Sequence, residues 1–83
     1  MVINHDKPKE VQLDQIKAGE LFVYNGELYI KSNTKRPLSD INNTPGDVCI
    51  RMSDGNYVIF DSNITRVYKA CVTGGVLNYI LLN

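Results

Sequence analysis

With 83 residues the chain has room for one domain and buries a smaller share of its surface than a large protein, so self-association is an expected source of added stability. Nine Lys and Arg balance nine Asp and Glu, and this formal charge of zero argues against duplex nucleic acid as a partner, since phosphate neutralisation supplies much of such affinity. No apolar run reaches the length of a signal-peptide core or a membrane span, so a cytoplasmic protein without membrane association is expected.

Residues 1–10 are polar, charged and proline-containing, which predicts a flexible tail ahead of a single small β domain at 11–83. Leu13 and Ile16 stand three apart, Asp14 lies between them, and Gly19 follows Ala18 as a stop, which predicts one short helical turn and no longer helix. From Leu21 the period changes to two. "LFVY", Asn25-Gly26 and "ELYIK" make a strong hairpin signal, because both turn residues adopt positive φ cheaply. A second hairpin runs "DVCIRM", "SDGN", "YVIFD". A third runs "TRVYKACV", Thr73-Gly74-Gly75, "VLNYILL". The expected fold is all-β: a small antiparallel SH3-like barrel or bent sheet of five to six short strands.

Alternation assigns faces. Leu28, Ile30, Val48, Ile50, Met52, Val58 and Phe60 form the expected core; Tyr29, Lys31, Cys49, Arg51, Tyr57 and Ile59 fall on the opposite face, with Arg66 and Tyr68 as possible neighbours. The run 76–82 is apolar at nearly every position, so it is the expected contact of a homo-oligomer. Cys49 and Cys71 lie in apolar runs without CxxC spacing and read as buried small hydrophobes in a reducing compartment. The two NxT triplets, at Asn42 and Asn63, have no secretory context.

Catalysis finds little support. His5, the only histidine, lies in the expected tail, where a general base would not be held to its target. The aspartates sit mostly at turns and should bond their own backbone. No calcium loop or phosphate-binding glycine loop occurs, and no metal or cofactor is expected.

Two features point to binding. Tyr29 and Tyr57, beside Lys31 and Arg51, offer rings for stacking and cations for phosphate. Residues 32–46 read as a long polar loop in which Asn33, Thr34, Lys35 and Arg36 would close over a ligand, with Leu38 and Ile41 packing back on the barrel or on a second subunit. The expected ligand is small and anionic. A host-protein inhibitor acting through 32–46 or the C-terminal strand is the alternative, and a nucleic-acid-binding barrel a further one.

"LDQIKAGELFVYNGELYIKSN" followed by "DVCIRMSDGNYVIFDSNITRVYKA" resembles small bacteriophage-encoded β-barrel accessory proteins. The matching residues are Leu13, Ile16, Gly19, Phe22, Gly26, Tyr29, Ile30, Lys31 and Ser32, then Ile50, Met52, Asp54, Gly55, Val58 and Phe60. The resemblance implies a viral accessory protein in the host cytoplasm, and with it a counter-defence role such as sequestering a nucleotide immune signal.

Overall fold

The computed structural model describes residues 9–39, 41, 43–72 and 79–82. They form an antiparallel sheet whose strands are β1 (Glu10–Gln12), β2 (Leu21–Tyr24), β3 (Glu27–Pro37), β4 (Pro45–Arg51), β5 (Tyr57–Phe60), β6 (Arg66–Val72) and β7 (Tyr79–Leu81). The order is β1-β6-β2-β3-β4-β5, with β7 also paired to β6. Consecutive strands β2 to β5 make a meander and β6 returns to pair with β2, so the sheet is open between β5 and β1. The all-β expectation is met, with one strand more than expected. The extra one, β1, begins at Glu10, inside the stretch expected to be a tail. His5 and the Thr73–Gly75 turn, with Val76 and Leu77 of the proposed oligomer contact, lie outside the described residues.

Local chemistry explains the short connections. Asn25 (φ +52°) and Gly26 (φ +81°) both take the left-handed conformation that a two-residue hairpin needs. At the β4–β5 connection Asp54 accepts the Asn56 N–H at 3.0 Å, and at the β5–β6 connection Asp61 accepts the Asn63 N–H at 3.0 Å. These turn aspartates bond their own backbone, as expected. The helical turn near the N-terminus is a single 3₁₀ turn, Leu13–Gln15.

Only the middle of the 32–46 segment is a connection outside strands. β3 runs on to Pro37 and β4 starts at Pro45, so most of the segment is a two-stranded arm. The chain hid this because the pairing shifts register between Lys31 and Lys35, where β3 holds two residues more than β4. Ser32 secures the resulting bulge: its hydroxyl donates to Val48 O at 2.6 Å and accepts the Thr34 N–H at 3.1 Å. The arm lies close on β5 because residue 46 is glycine. A Cβ there would stand 2.5 Å from Ile59 Cγ2 and 2.6 Å from Leu38 Cδ2. Leu38 thus packs back as expected, whereas Ile41 is 96% exposed.

The core sits on the face that alternation assigned to solvent. Tyr29 and Cys49 are buried with Leu13, Ile16, Phe22, Phe60 and Val67. Two causes produce the difference. The β4–β5 register pairs Cys49 with Val58 and Asp47 with Phe60, one residue away from the expected alignment, so Val58 and Phe60 join Tyr29 rather than Leu28. Leu13 and Ile16, carried in by the 3₁₀ turn, then cover that same face. Of the residues expected in the core, Leu28 is buried in a second cluster on the other face, with Val23 and Ala70, against which Met52 and Leu81 pack.

Candidate functional site

The eight residues singled out from the sequence separate onto two faces. Tyr29 is 5% exposed; its ring stacks on Phe22 with centroids 5.4 Å apart and meets the Phe60 ring edge-on at 5.2 Å. It has no face free for a base. Lys31 is also buried. Its ammonium donates to Leu13 O at 2.9 Å and Ile16 O at 2.7 Å and lies 3.5 Å from Asp47 Oδ2, which ties the 3₁₀ turn to the sheet. Lys35 pairs with the other oxygen, Asp47 Oδ1, at 2.8 Å. Arg51 is 3.1 Å from Asp54 Oδ2, and the Tyr29 hydroxyl, with Asp54, pushes the Arg51 pKa up. Tyr29 and Lys31 are thus taken up by the core and Lys35 and Arg51 are each paired to a carboxylate, so Tyr29, Lys31 and Arg51 do not form the phosphate and base site that alternation implied.

Asp47 is the centre of that network. Burial by itself would raise its pKa, but the hydrogen bonds from Lys35 and Ser62 and the charges of Lys31 and Lys35 outweigh it and hold the carboxyl below the usual range. Nearby, burial first and the Asp47 charge second push the Cys49 thiol up to about 12. Cys71, expected to be buried, is exposed. Alkylation of the native protein should therefore modify one thiol per chain, at Cys71, and two after unfolding, as intact mass would show. Native labelling of both would contradict the buried position of Cys49.

Of the remaining four, Thr34, Arg36 and Tyr57 meet on the opposite face. Two adjoining hollows lie along the arm, of about 400 and about 360 Å³. Arg36 and Tyr57 border both. Thr34, Ser32, Val48 and Ile50 complete one; Pro37, Ser39, Asn43 and Ile59 complete the other. Asn33 is exposed in the bulge and borders neither. Val48 and Ile50, expected in the core, are half-buried and give the groove an apolar floor. Tyr57 is 66% exposed. Of the four cations in the expected site, Lys31, Lys35 and Arg51 are each paired to a carboxylate, whereas Arg36 makes no ion pair among the described residues.

Sequence reasoning missed the aliphatic floor and the part of Ile59, because it placed Val48 and Ile50 inside. A signal existed: Arg36 falls beyond the bulge, opposite Gly46, and a glycine in a strand often marks a close approach of other chain. Among the described residues no group of three or more His, Cys, Asp or Glu is placed to hold a metal ion, and no helix is long and apolar enough to cross a membrane. No family model, curated protein or solved structure matches this chain.

Proposed function

We propose that this chain is a non-enzymatic binding protein that sequesters a small anionic ligand of nucleotide type in the groove between the β3–β4 arm and β5. The observation that carries the reading is the placement of Arg36, which makes no ion pair among the described residues, and an exposed tyrosine at the border of both hollows. A guanidinium takes phosphate oxygens bidentately, and a tyrosine ring stacks on any base. The floor of Val48, Ile50 and Ile59 suits the ring, and the combined hollows are in the size range of small-molecule sites. In the bacteriophage setting implied by the sequence pattern, the act would be removal of a host nucleotide signal from the host cytoplasm.

Thermal unfolding against a panel of mononucleotides and cyclic dinucleotides tests this, since a ligand of the folded state raises the melting temperature. For the nucleotide that binds, Arg36→Ala should weaken affinity by about 10- to 100-fold, the loss of a charge-assisted hydrogen bond. Tyr57→Ala should cost about 1–3 kcal/mol of stacking. Tyr29→Phe should leave affinity unchanged, because that ring faces the core. No stabilisation by any nucleotide, or full affinity in Arg36→Ala, would sink the proposal.

The fully exposed Ile41 at the end of the arm favours a second reading, inhibition of a host protein. Under it, Ile41→Ser would abolish inhibition while Arg36→Ala would not.

A further inference from the structure

The two ends of the open sheet are built differently. At one end two strands of three residues each, β1 and β7, lie along β6, and Glu10 of β1 pairs with Arg66, so that edge is short and partly blunted by charge. β5 is the uncharged run Tyr57-Val58-Ile59-Phe60, with no proline and no register shift against β4. The Arg51 N–H donates to Asn56 O at 2.8 Å. Bonded and non-bonded pairs alternate along an antiparallel ladder, so Val58 and Phe60 turn their backbone groups towards β4. Tyr57 and Ile59 turn theirs outwards, and no hydrogen bond engages them among the described residues.

We propose that β5 is the seam of a two-fold homodimer, in which Tyr57–Ile59 pairs antiparallel with the same strand of a second copy and joins two grooves into one site. The occupant is a second copy because the edge is self-complementary. Pairing centred on Val58 sets Tyr57 opposite the partner's Ile59 and Ile59 opposite the partner's Tyr57. These are the residues whose N–H and C=O face outwards, so all four groups on each strand find partners. Their side chains lie on the groove face, where Tyr57 is 66% exposed, and the seam covers them with one another. One interstrand step of about 4.8 Å and two residues of about 3.4 Å each put the two Tyr57 Cα atoms roughly 8 Å apart on that face.

The ligand class follows, and this part rests on the nucleotide reading above. Two tyrosines and two arginines related by a two-fold axis fit a two-base, two-phosphate molecule, so a cyclic dinucleotide should bind at one per two chains.

The test has separable arms. Sedimentation equilibrium should give twice the 9.4 kDa of one chain. Amide exchange followed by NMR should show Tyr57 and Ile59 protected in the dimer and losing that protection on dilution. Ile59→Lys should yield a monomer with an unchanged far-ultraviolet spectrum; should that variant not fold, the exchange rates of the unaltered protein decide. A monomer at all concentrations would leave the edge to an extended segment of another chain and overturn the proposal. A dimer whose Tyr57 and Ile59 amides exchange freely would overturn it as well, placing the contact elsewhere, for example at 76–82. Binding of one cyclic dinucleotide per chain would refute the shared site. If no nucleotide binds, the functional reading fails, while mass and exchange still decide the seam.

Discussion

Asp47→Ala should destabilise the fold by about 3–5 kcal/mol, the typical cost of stripping one partner from a buried ion pair. The Lys31 and Asp47 side chains are 10% and 9% exposed. Without the carboxylate the Lys31 ammonium keeps two carbonyl acceptors but loses its counter-charge, and Ser62 loses its acceptor. For a chain of this size the loss is comparable to the whole stability of about 4–12 kcal/mol. Chemical denaturation should show it as a large fall in midpoint. Adding Lys31→Met should recover part of the loss, because the two effects are not additive when both groups belong to one network.

The pH dependence has a definite sign. The folded state holds the Asp47 pKa below its ordinary value despite burial. Its contribution is therefore complete above the unfolded carboxylate range and is lost as pH falls through the folded pKa. The stability gap between the unaltered protein and Asp47→Asn should be widest near neutrality and narrow below about pH 4, the ordinary aspartate range. A gap that widens on acidification would contradict the network.

Phe22→Ala is the second large effect, at about 3–5 kcal/mol. Phe22 is 0% exposed and its ring stacks on Tyr29 at 11° between planes, with Phe60 edge-on at 6.0 Å. Its removal takes ring contacts from both neighbours and leaves a void under the 3₁₀ turn. Thermal unfolding should show the fall, and near-ultraviolet dichroism should change because Tyr29 loses its stacked partner. A loss below 1 kcal/mol would mean that the core lies on the other face, with Leu28.

The consequences for function depend on that same choice of face. Had Tyr29 and Lys31 faced solvent beside Arg51, the proposed phosphate site would have been a sheet-centred cationic patch. With them inside, Arg36, which makes no ion pair among the described residues, is left beside Tyr57 in the groove, and under the proposed reading a doubly charged ligand would be best matched by two copies.

What the chain alone determined was local. Asn25-Gly26 specified its turn because positive φ is cheap there, the aspartates at 54 and 61 specified theirs by bonding their own backbone, and period-two patterning specified strands. The sequence also singled out Arg36, Thr34 and Tyr57, through exposure-prone chemistry on or beside a polar stretch, and the fold brings them to the groove along the arm. The face of the sheet that became the core was a tertiary decision. β3 and β4 carry apolar side chains on both faces, so alternation could not choose between them. The choice was made by residues arriving from distant parts of the chain: Leu13 and Ile16 from the 3₁₀ turn, Val67 from β6, and Asp47, which gives the buried Lys31 its counter-charge. The arm was tertiary too, because a bulge of two residues, closed by the Ser32 hydroxyl, let a segment rich in loop-forming residues pair as strands.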